Sequence, residues 1–591
     1  MDRNTLLFIV LTAAVLIGWE IFVVGPQREA MQERQRIERQ AEAPAAAPVG
    51  DIEGIDINRA VSVEEALAEA PRRIPIDTPS LQGSINLLGG RIDDLLLKNY
   101  RETLDPESPM IRLLTPAEAE HGHYLEQGFA AAGAGASGLT QSIVWSAPDG
   151  ARLTPDSPVT LTARLGALVF EKTYSVDDQF MFTVEQRVRN DGEAPAKATP
   201  YGLVVQRGIP DDAGKFMILH EGPLAVVGDQ LLERKYKKAV TRIDQAAGDR
   251  GWVGITNKYW LAAAAPPQGE PFDVTLKNVG TATAPVFRAN YTLAERMLAP
   301  GETLTLKSYL FGGAKDVDVL RSYEDRLGVW DLDKAVDWGN FYFLTRPIFW
   351  LLDFFGDHVG NFGVAILLLT LVVKALMFPL ANKAFESMSQ MKKVQPKLEE
   401  LKTRYGDDKA KLQQEMMALY QREKINPLAG CLPILIQMPI FYALYKTLFV
   451  TIELRHEPFV LWIKDLSAPD PTTIFNLFGL LPYDPMALPL IGPFLGIGVL
   501  PLLMGVAMWF QTKLNPPASD PMQQQIMTMM PIIFVFLFAS FASGLVLYWV
   551  WSTVLSIAQQ WYIMKRNGVS VDWGERLPFL RGKKPALEKK G

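Results

Sequence analysis

The sequence predicts a multi-domain membrane protein: an α-helical core of five membrane spans and a large extracytoplasmic antiparallel β-sandwich. Three observations carry this. Apolar runs such as Val359 to Leu380 are long enough to cross a bilayer core of roughly 30 Å at about 1.5 Å per residue. Between about Arg73 and Gly313, short period-two runs alternate with Gly, Pro, Asn and Asp turns. Basic residues crowd into some loops between apolar runs and avoid others. The chain has 591 residues, 48% hydrophobic and 21% charged, and its mean hydropathy of +0.07 averages a soluble part with a membrane part. The net charge of -6 gives no support for nucleic-acid binding, and the single cysteine, Cys431, excludes an intramolecular disulfide or a cysteine metal cluster.

Residues 1–25 read as a transmembrane anchor. Leu6 to Val24 is longer than a signal-peptide core, and Gly25-Pro26-Gln27 offers no small-x-small cleavage site. Residues 26–70, charged and Ala/Pro-rich, cannot bury enough apolar surface to offset chain entropy and read as a flexible linker. Residues 71–315 form the expected sandwich. Leu168, Phe170, Lys172, Tyr174 and Val176 share one face, Phe272, Val274 and Leu276 alternate with polar residues, and Leu304, Leu306, Ser308 and Leu310 repeat the pattern. Residues 316–357 turn helical and aromatic, with Trp330, Trp338, Phe341, Tyr342, Phe343, Phe349, Trp350, Phe354 and Phe355. That suits helices at the headgroup level, or alternatively a cap on the sandwich.

Residues 358–564 form the expected core, with spans about 359–380, 427–452, 488–511 and 531–555. Lys374 lies inside the first of these, where a lysine costs roughly 3 kcal/mol on insertion scales. It either faces water, a partner or a substrate path, or snorkels to the headgroups. Residues 381–426 read as a charged helical hairpin with a methionine-bearing apolar face that includes Met388, Met391 and Met416. This stripe is either packing or a surface for apolar clients. Counting basic residues places the hairpin, the Lys513 loop, the basic tail 565–591 and the N-terminus in the cytoplasm, with the sandwich outside.

No phosphate-binding loop, zinc-protease helix or serine elbow occurs. His121-Gly122-His123 lacks further ligands and reads as surface. The polar residues within the spans say more. Thr370 and Lys374, four apart on one helical face, Gln437, and Ser552, Thr553 and Ser556 can converge on one cavity or serve separate helix-helix hydrogen bonds.

Asn426-Pro427-Leu428-Ala429-Gly430-Cys431-Leu432-Pro433, Gln437-Met438-Pro439-Ile440-Phe441, Leu461-Trp462-Ile463-Lys464-Asp465-Leu466, Asp520-Pro521-Met522-Gln523-Gln524 and Ser543-Gly544-Leu545-Val546-Leu547-Tyr548 follow one another in this order. Over roughly Val359 to Met564 the chain resembles the YidC/Oxa/Alb family of membrane insertases, and its anchor and β domain resemble the Gram-negative subgroup. The resemblance implies an inner-membrane insertase and folding chaperone with a periplasmic domain, without a catalytic site or cofactor. It also implies nascent membrane proteins as clients, work alone or with the Sec translocon and its accessory subunits, and release into the lipid bilayer. The family's groove cation is usually arginine, and its place is taken here by Lys374, beside positions matching Thr370, Gln437 and Ser552. Its tyrosine pair is Tyr548-Trp549 here. The basic tail and cytoplasmic loops suit ribosome contact, anionic lipid or plain topology signalling equally. Two other readings stay open: a secondary transporter using Lys374, and a membrane-anchored periplasmic scaffold or chaperone.

Overall fold

The computed structural model describes residues 60–568 except 71, 212, 214–218, 242, 340, 407, 424–431, 479–480, 482, 484, 486–487, 489–491 and 516–520. The expected anchor, most of the expected linker and the tail beyond 568 lie outside the described residues. The chain divides into two compact units, residues 1–340 and 341–591.

The first unit holds an eleven-stranded and an eight-stranded antiparallel sheet among its described residues. The larger runs through Arg91–Arg101, His123–Gly133, Ala196–Arg207, Val286–Leu293 and Phe272–Asn278. The smaller runs Gln230–Glu233, Gly222–Val227, Gly251–Thr256, Trp260–Ala265, Thr303–Ala314, Met181–Asn190, Leu168–Val176 and Val159–Leu165. The period-two pattern is realised most fully in Leu168–Val176, where residues 168, 170, 172, 174 and 176 are all buried and those between them are not. Facing side chains interlock between the sheets. Phe129 meets Phe170 with ring centroids 5.6 Å apart, and a Cβ on Gly312 would stand 2.9 Å from Leu95 Cδ2.

Two stretches differ from expectation here. The end of the expected linker is ordered: Ser62 caps a helix at Val63–Glu69, Ala66 is buried, and Val61 N donates to Glu118 O at 3.2 Å. The first half of 316–357 also belongs to the sandwich, not to a headgroup-level helix. Helix α1, Val317–Leu327, is capped by Asp316 and ended by left-handed Gly328. Its buried Tyr323 accepts from Phe180 N at 3.1 Å, and Trp330 Nε1 donates to Gly228 O at 2.9 Å.

The second unit comprises α2 (Tyr342–Val359), α3 (Phe362–Tyr405), α4 (Lys409–Arg422), α5 (Leu432–Val450), α6 (Val499–Leu514), α7 (Pro521–Phe538) and α8 (Ser543–Arg566). Helix α2 is amphipathic. It buries Ile348, Phe349 and Leu352 and exposes Tyr342, Phe343, Trp350 and Phe354, as a helix at an apolar-polar boundary would. Among the described residues, α3 is the one helix that is long and apolar enough to cross a bilayer by length and composition, and α6 is a shorter apolar helix. Helix α3 runs unbroken from the expected span into the first arm of the hairpin, through Pro379 and Pro396.

The expected span 531–555 is two helices. Helix α7 ends at Phe538 and α8 starts at Ser543. Ala539 to Ala542 contains no Pro or Gly, so the break has a tertiary cause. Ser543 N donates to Ala468 O at 2.7 Å, Gly544 N donates to Leu466 O at 2.9 Å, and Pro469 bridges Ala542. The segment between α5 and α6 thus supplies the corner. The same segment starts two other helices. Asn361 caps α3 and donates to Phe459 O at 3.1 Å, and buried Asp470 accepts Leu500 N at 2.7 Å near the start of α6. Gly363 must be glycine, because a Cβ there would fall within the Phe459 ring.

Candidate functional site

Helix α8 carries polar residues at Tyr548, Ser552, Ser556 and Gln559, a spacing of four, four and three that keeps them on one helical face. Helices α3 and α6 pack against α8, and α7 packs against α6. Together with α5 they enclose a groove of about 670 Å³. Lys374, Gln437, Tyr548, Trp549 and Ser552 line it, as do Ser556 and Gln559.

Two short ladders organise the polar wall. Lys374 Nζ donates to Ser556 Oγ at 2.8 Å, and Ser556 Oγ donates to Ser552 O at 2.8 Å. Gln437 Nε2 donates to Tyr548 OH at 2.8 Å. Lys374 is half-buried and Ser552 is 8% exposed, so the ammonium sits at the groove wall rather than turned out along the helix. Lower on the same helices, Gln559 Nε2 donates to Asn382 Oδ1 at 3.1 Å and ties α8 to α3. Beside these residues the lining holds soft apolar side chains, with Gln511, Lys513 and Thr528 also among it. Met377, Met388, Met438, Met508, Met527 and Met530 all contribute, and Trp549 meets Phe441 edge-on at 4.5 Å between centroids.

The structure does not bring every sequence-predicted residue here. Thr370 is fully buried among core residues, donates to Ile366 O at 2.6 Å within its own helix, and does not line the groove. The shared face of positions 370 and 374 holds along α3, but one turn separates the packed core from the groove. Met391 and Met416 are also displaced from their expected role. They pack around Val394, Leu398, Leu419 and Tyr420, the hairpin's own core between α3 and α4, whereas Met388 lines the groove. The amphipathic stripe therefore closes the hairpin on itself. On α4 it is Met417, at 49% exposed, that faces outward.

Sequence reasoning passed over Gln511, Gln524, Thr528 and Gln559, which also line the groove. Their signal, polar side chains near the ends of apolar runs, is indistinguishable in sequence from ordinary helix ends. It also passed over Lys446, which is 1% exposed within α5. His121 and His123 part company. His121 Nε2 is 3.8 Å from Asp211, and buried His123 Nδ1 is 2.8 Å from Val205 O. Among the described residues no group of three metal-ligand side chains forms.

Two family models match the chain: "YidC periplasmic domain" over residues 73–351 and "60Kd inner membrane protein" over residues 354–569. The chain is 48% identical to the membrane protein insertase YidC of Beijerinckia indica, covering 98% of this chain and 99% of that one. It is 47% identical to that of Caulobacter vibrioides over 98% of each. A crystal structure titled as an active YidC insertase with the first transmembrane domain resolved is 18% identical, with a TM-score of 0.35, over 84% of this chain and 93% of that one. Two adjoining family models and near full-length identity to curated relatives lead to one conclusion: the chain belongs to the YidC family of membrane protein insertases.

Proposed function

We propose that this chain inserts nascent proteins into a bacterial inner membrane by drawing their polar flanks into the α3–α5–α8 groove while their apolar segments pass into lipid. The observation that carries the reading is the mixed lining of the groove. Lys374, Ser556, Gln437 and Tyr548 share it with methionine and aromatic side chains. A polar flank gains hydrogen-bond partners and a cation from the first set. An apolar segment slides over the second, which adapts to varied shapes. Each apolar side chain taken from water into lipid contributes roughly 1.5 to 3 kcal/mol, so a spanning segment brings its own driving force and the groove has only to lower the barrier for the flank.

The topology is part of the proposal. The anchor expected in 1–25 with α3, α5, α6, α7 and α8 makes six crossings, and an even number leaves both termini on one side. Five crossings would have separated them. The basic residues of the hairpin and of the tail make that side the cytoplasm, with the β unit in the periplasm. In this plan 26–70 spaces the anchor from the 71–315 sandwich, and 358–564 does the work of insertion. The Sec translocon and the ribosome are its expected neighbours. The first would receive multi-span clients, and the second would meet the basic tail and hairpin.

The test is Lys374→Leu in the full-length protein. Insertion of a single-span client with an acidic translocated tail is expected to fall well below that of the same client with a neutral tail, read by protease protection in vesicles. Equal insertion of both would remove the charge from the mechanism.

A further inference from the structure

The segment between α5 and α6 ends in two apolar tips whose exposure the groove does not explain. At the first, Val460 is 48% and Leu461 76% exposed. At the second, Phe475, Leu477 and Phe478 are 41%, 52% and 52% exposed. We propose that these two tips sit in the outer leaflet of the bilayer, anchoring the outer end of the helical unit to acyl chains. The proposal rests on the membrane reading above.

Backbone economy is the first argument. A loop can enter lipid only if its amide groups are satisfied internally. Each tip meets part of that demand within its own turn. Phe459 N donates to Ile463 O at 3.1 Å and Ile463 N to Val460 O at 3.2 Å, closing the first turn. In the second, Phe478 N donates to Thr473 O at 2.8 Å, Leu477 N to Ile474 O at 3.3 Å and Leu481 N to Asn476 O at 3.0 Å. The turn is moored to the start of α6 by Ile474 N to Ile497 O at 3.1 Å.

Conformation is the second. Leu461, Leu477 and Phe478 have φ of 59°, 52° and 61°, a left-handed backbone that bulky residues rarely adopt. In an aqueous turn, glycine or asparagine would relieve that strain at no loss. Here the strained positions are the ones that aim large apolar side chains outward, so the strain points to a use for them.

Charge and length supply the third. From Pro471 to Gly498 the one charged residue is Asp484, and Pro458 to Ile463 has none. A protein partner at a wet interface would ordinarily be met by a polar rim. Helix α6 has 16 residues, about 24 Å at 1.5 Å per residue, short of a hydrocarbon core of roughly 30 Å. An apolar cap moored at its outer end makes up the missing depth. Both tips belong to that end, since the first packs by Phe459 on the start of α3 and the second pairs with Ile497, two residues before α6 begins.

The experiment is spin-label accessibility in full-length protein carrying Cys431→Ser, reconstituted into phosphatidylethanolamine–phosphatidylglycerol vesicles. Labels are placed by Leu461→Cys and Phe478→Cys. Leu376→Cys, on the exposed apolar face of α3, is the lipid reference, and Met297→Cys, exposed in the β unit, is the water reference. Both tips are expected to show an oxygen-to-nickel-chelate collision ratio severalfold above that at 297 and close to that at 376. Tips that resemble 297 lie in water and overturn the proposal. Immobilised tips shielded from both relaxants are covered by protein, a second copy or another domain, and overturn it equally. If 376 itself resembles 297, the membrane reading has failed, and that outcome is distinct from the other two. A Leu461→Trp variant quenched by brominated acyl chains repeats the measurement without a label.

Discussion

Lys172 of the β unit and Lys374 of the helical unit are handled in opposite ways. Lys172 in the β unit is sealed. It is 0% exposed, its Nζ donates to Gln127 O at 2.6 Å and Gly89 O at 3.1 Å, and it lies 4.6 Å from the Trp145 ring centroid. Burial pulls its pKa down to about 8, opposed by the nearby Glu126 carboxylate. Lys374 in the helical unit donates to a serine hydroxyl and fronts a groove. A cation whose bonds go to main-chain carbonyls in a closed core stabilises a fold. A cation held by one movable hydroxyl at a cavity wall remains available to something that arrives. Exposure and hydrogen-bond partners separate the cases together: Lys172 is sealed on carbonyls, and Lys374 is half-buried on a hydroxyl.

Several measurements would break or sharpen that contrast. The largest effect is expected from Lys172→Ala, which opens a cavity and orphans two carbonyls, a loss of about 3 kcal/mol. Hydrogen exchange over Leu168–Val176 in the full-length protein reads it, and unchanged protection would mean Lys172 is not structural. Acid should also attack the β unit selectively. Burial lowers the pKa of both His123 and His220 to about 4, below the unfolded value of roughly 6.5. The unfolded chain then binds more protons between those values, so their stabilising contribution is complete above pH 6.5 and is lost as pH falls toward 4, by up to about 3 kcal/mol for each histidine. Faster exchange in the strands His123–Gly133 and Ala196–Arg207 at pH 4.5 than at pH 7, after correction for intrinsic rates, is the expected result.

Lys374→Leu should reverse the balance. Exchange protection of the helices stays close to the parent, while insertion of acidic-tailed clients falls about tenfold, the scale of a lost hydrogen bond to a charged group. Ser556→Ala is the mildest change. It frees the ammonium without removing it and should slow the same clients about threefold, roughly 0.5 to 1 kcal/mol, with Ser556→Thr restoring the rate. A full loss in Ser556→Ala would show that holding the cation matters more than its charge.

The sandwich was legible because period-two alternation needs only local information: residues 168, 170, 172, 174 and 176 alternate in the chain and are buried in the sheet. Lys172 itself obeys the pattern, although nothing local foretells its two carbonyl partners. Much of the groove was legible for a related reason. A polar residue inside an apolar run is conspicuous, and Lys374, Gln437 and Ser552 stood out as such. What could not be read was set by tertiary contact. The division at Ala539–Ala542 depends on strand-like pairing with Ala468 and Pro469, more than seventy positions upstream, in a stretch with no breaker of its own. Thr370 and the hairpin methionines had the right periodicity and different neighbours, because a helical stripe says which residues share a face but not what that face meets.

The contact between Gly363 and Phe459 has a consequence for descent. Since a methyl group at 363 would occupy the ring of 459, position 363 cannot enlarge while that ring stays. Lineages that acquired alanine at the first should carry a smaller side chain at the second, and such paired replacement would record the locking of that loop onto the membrane helix.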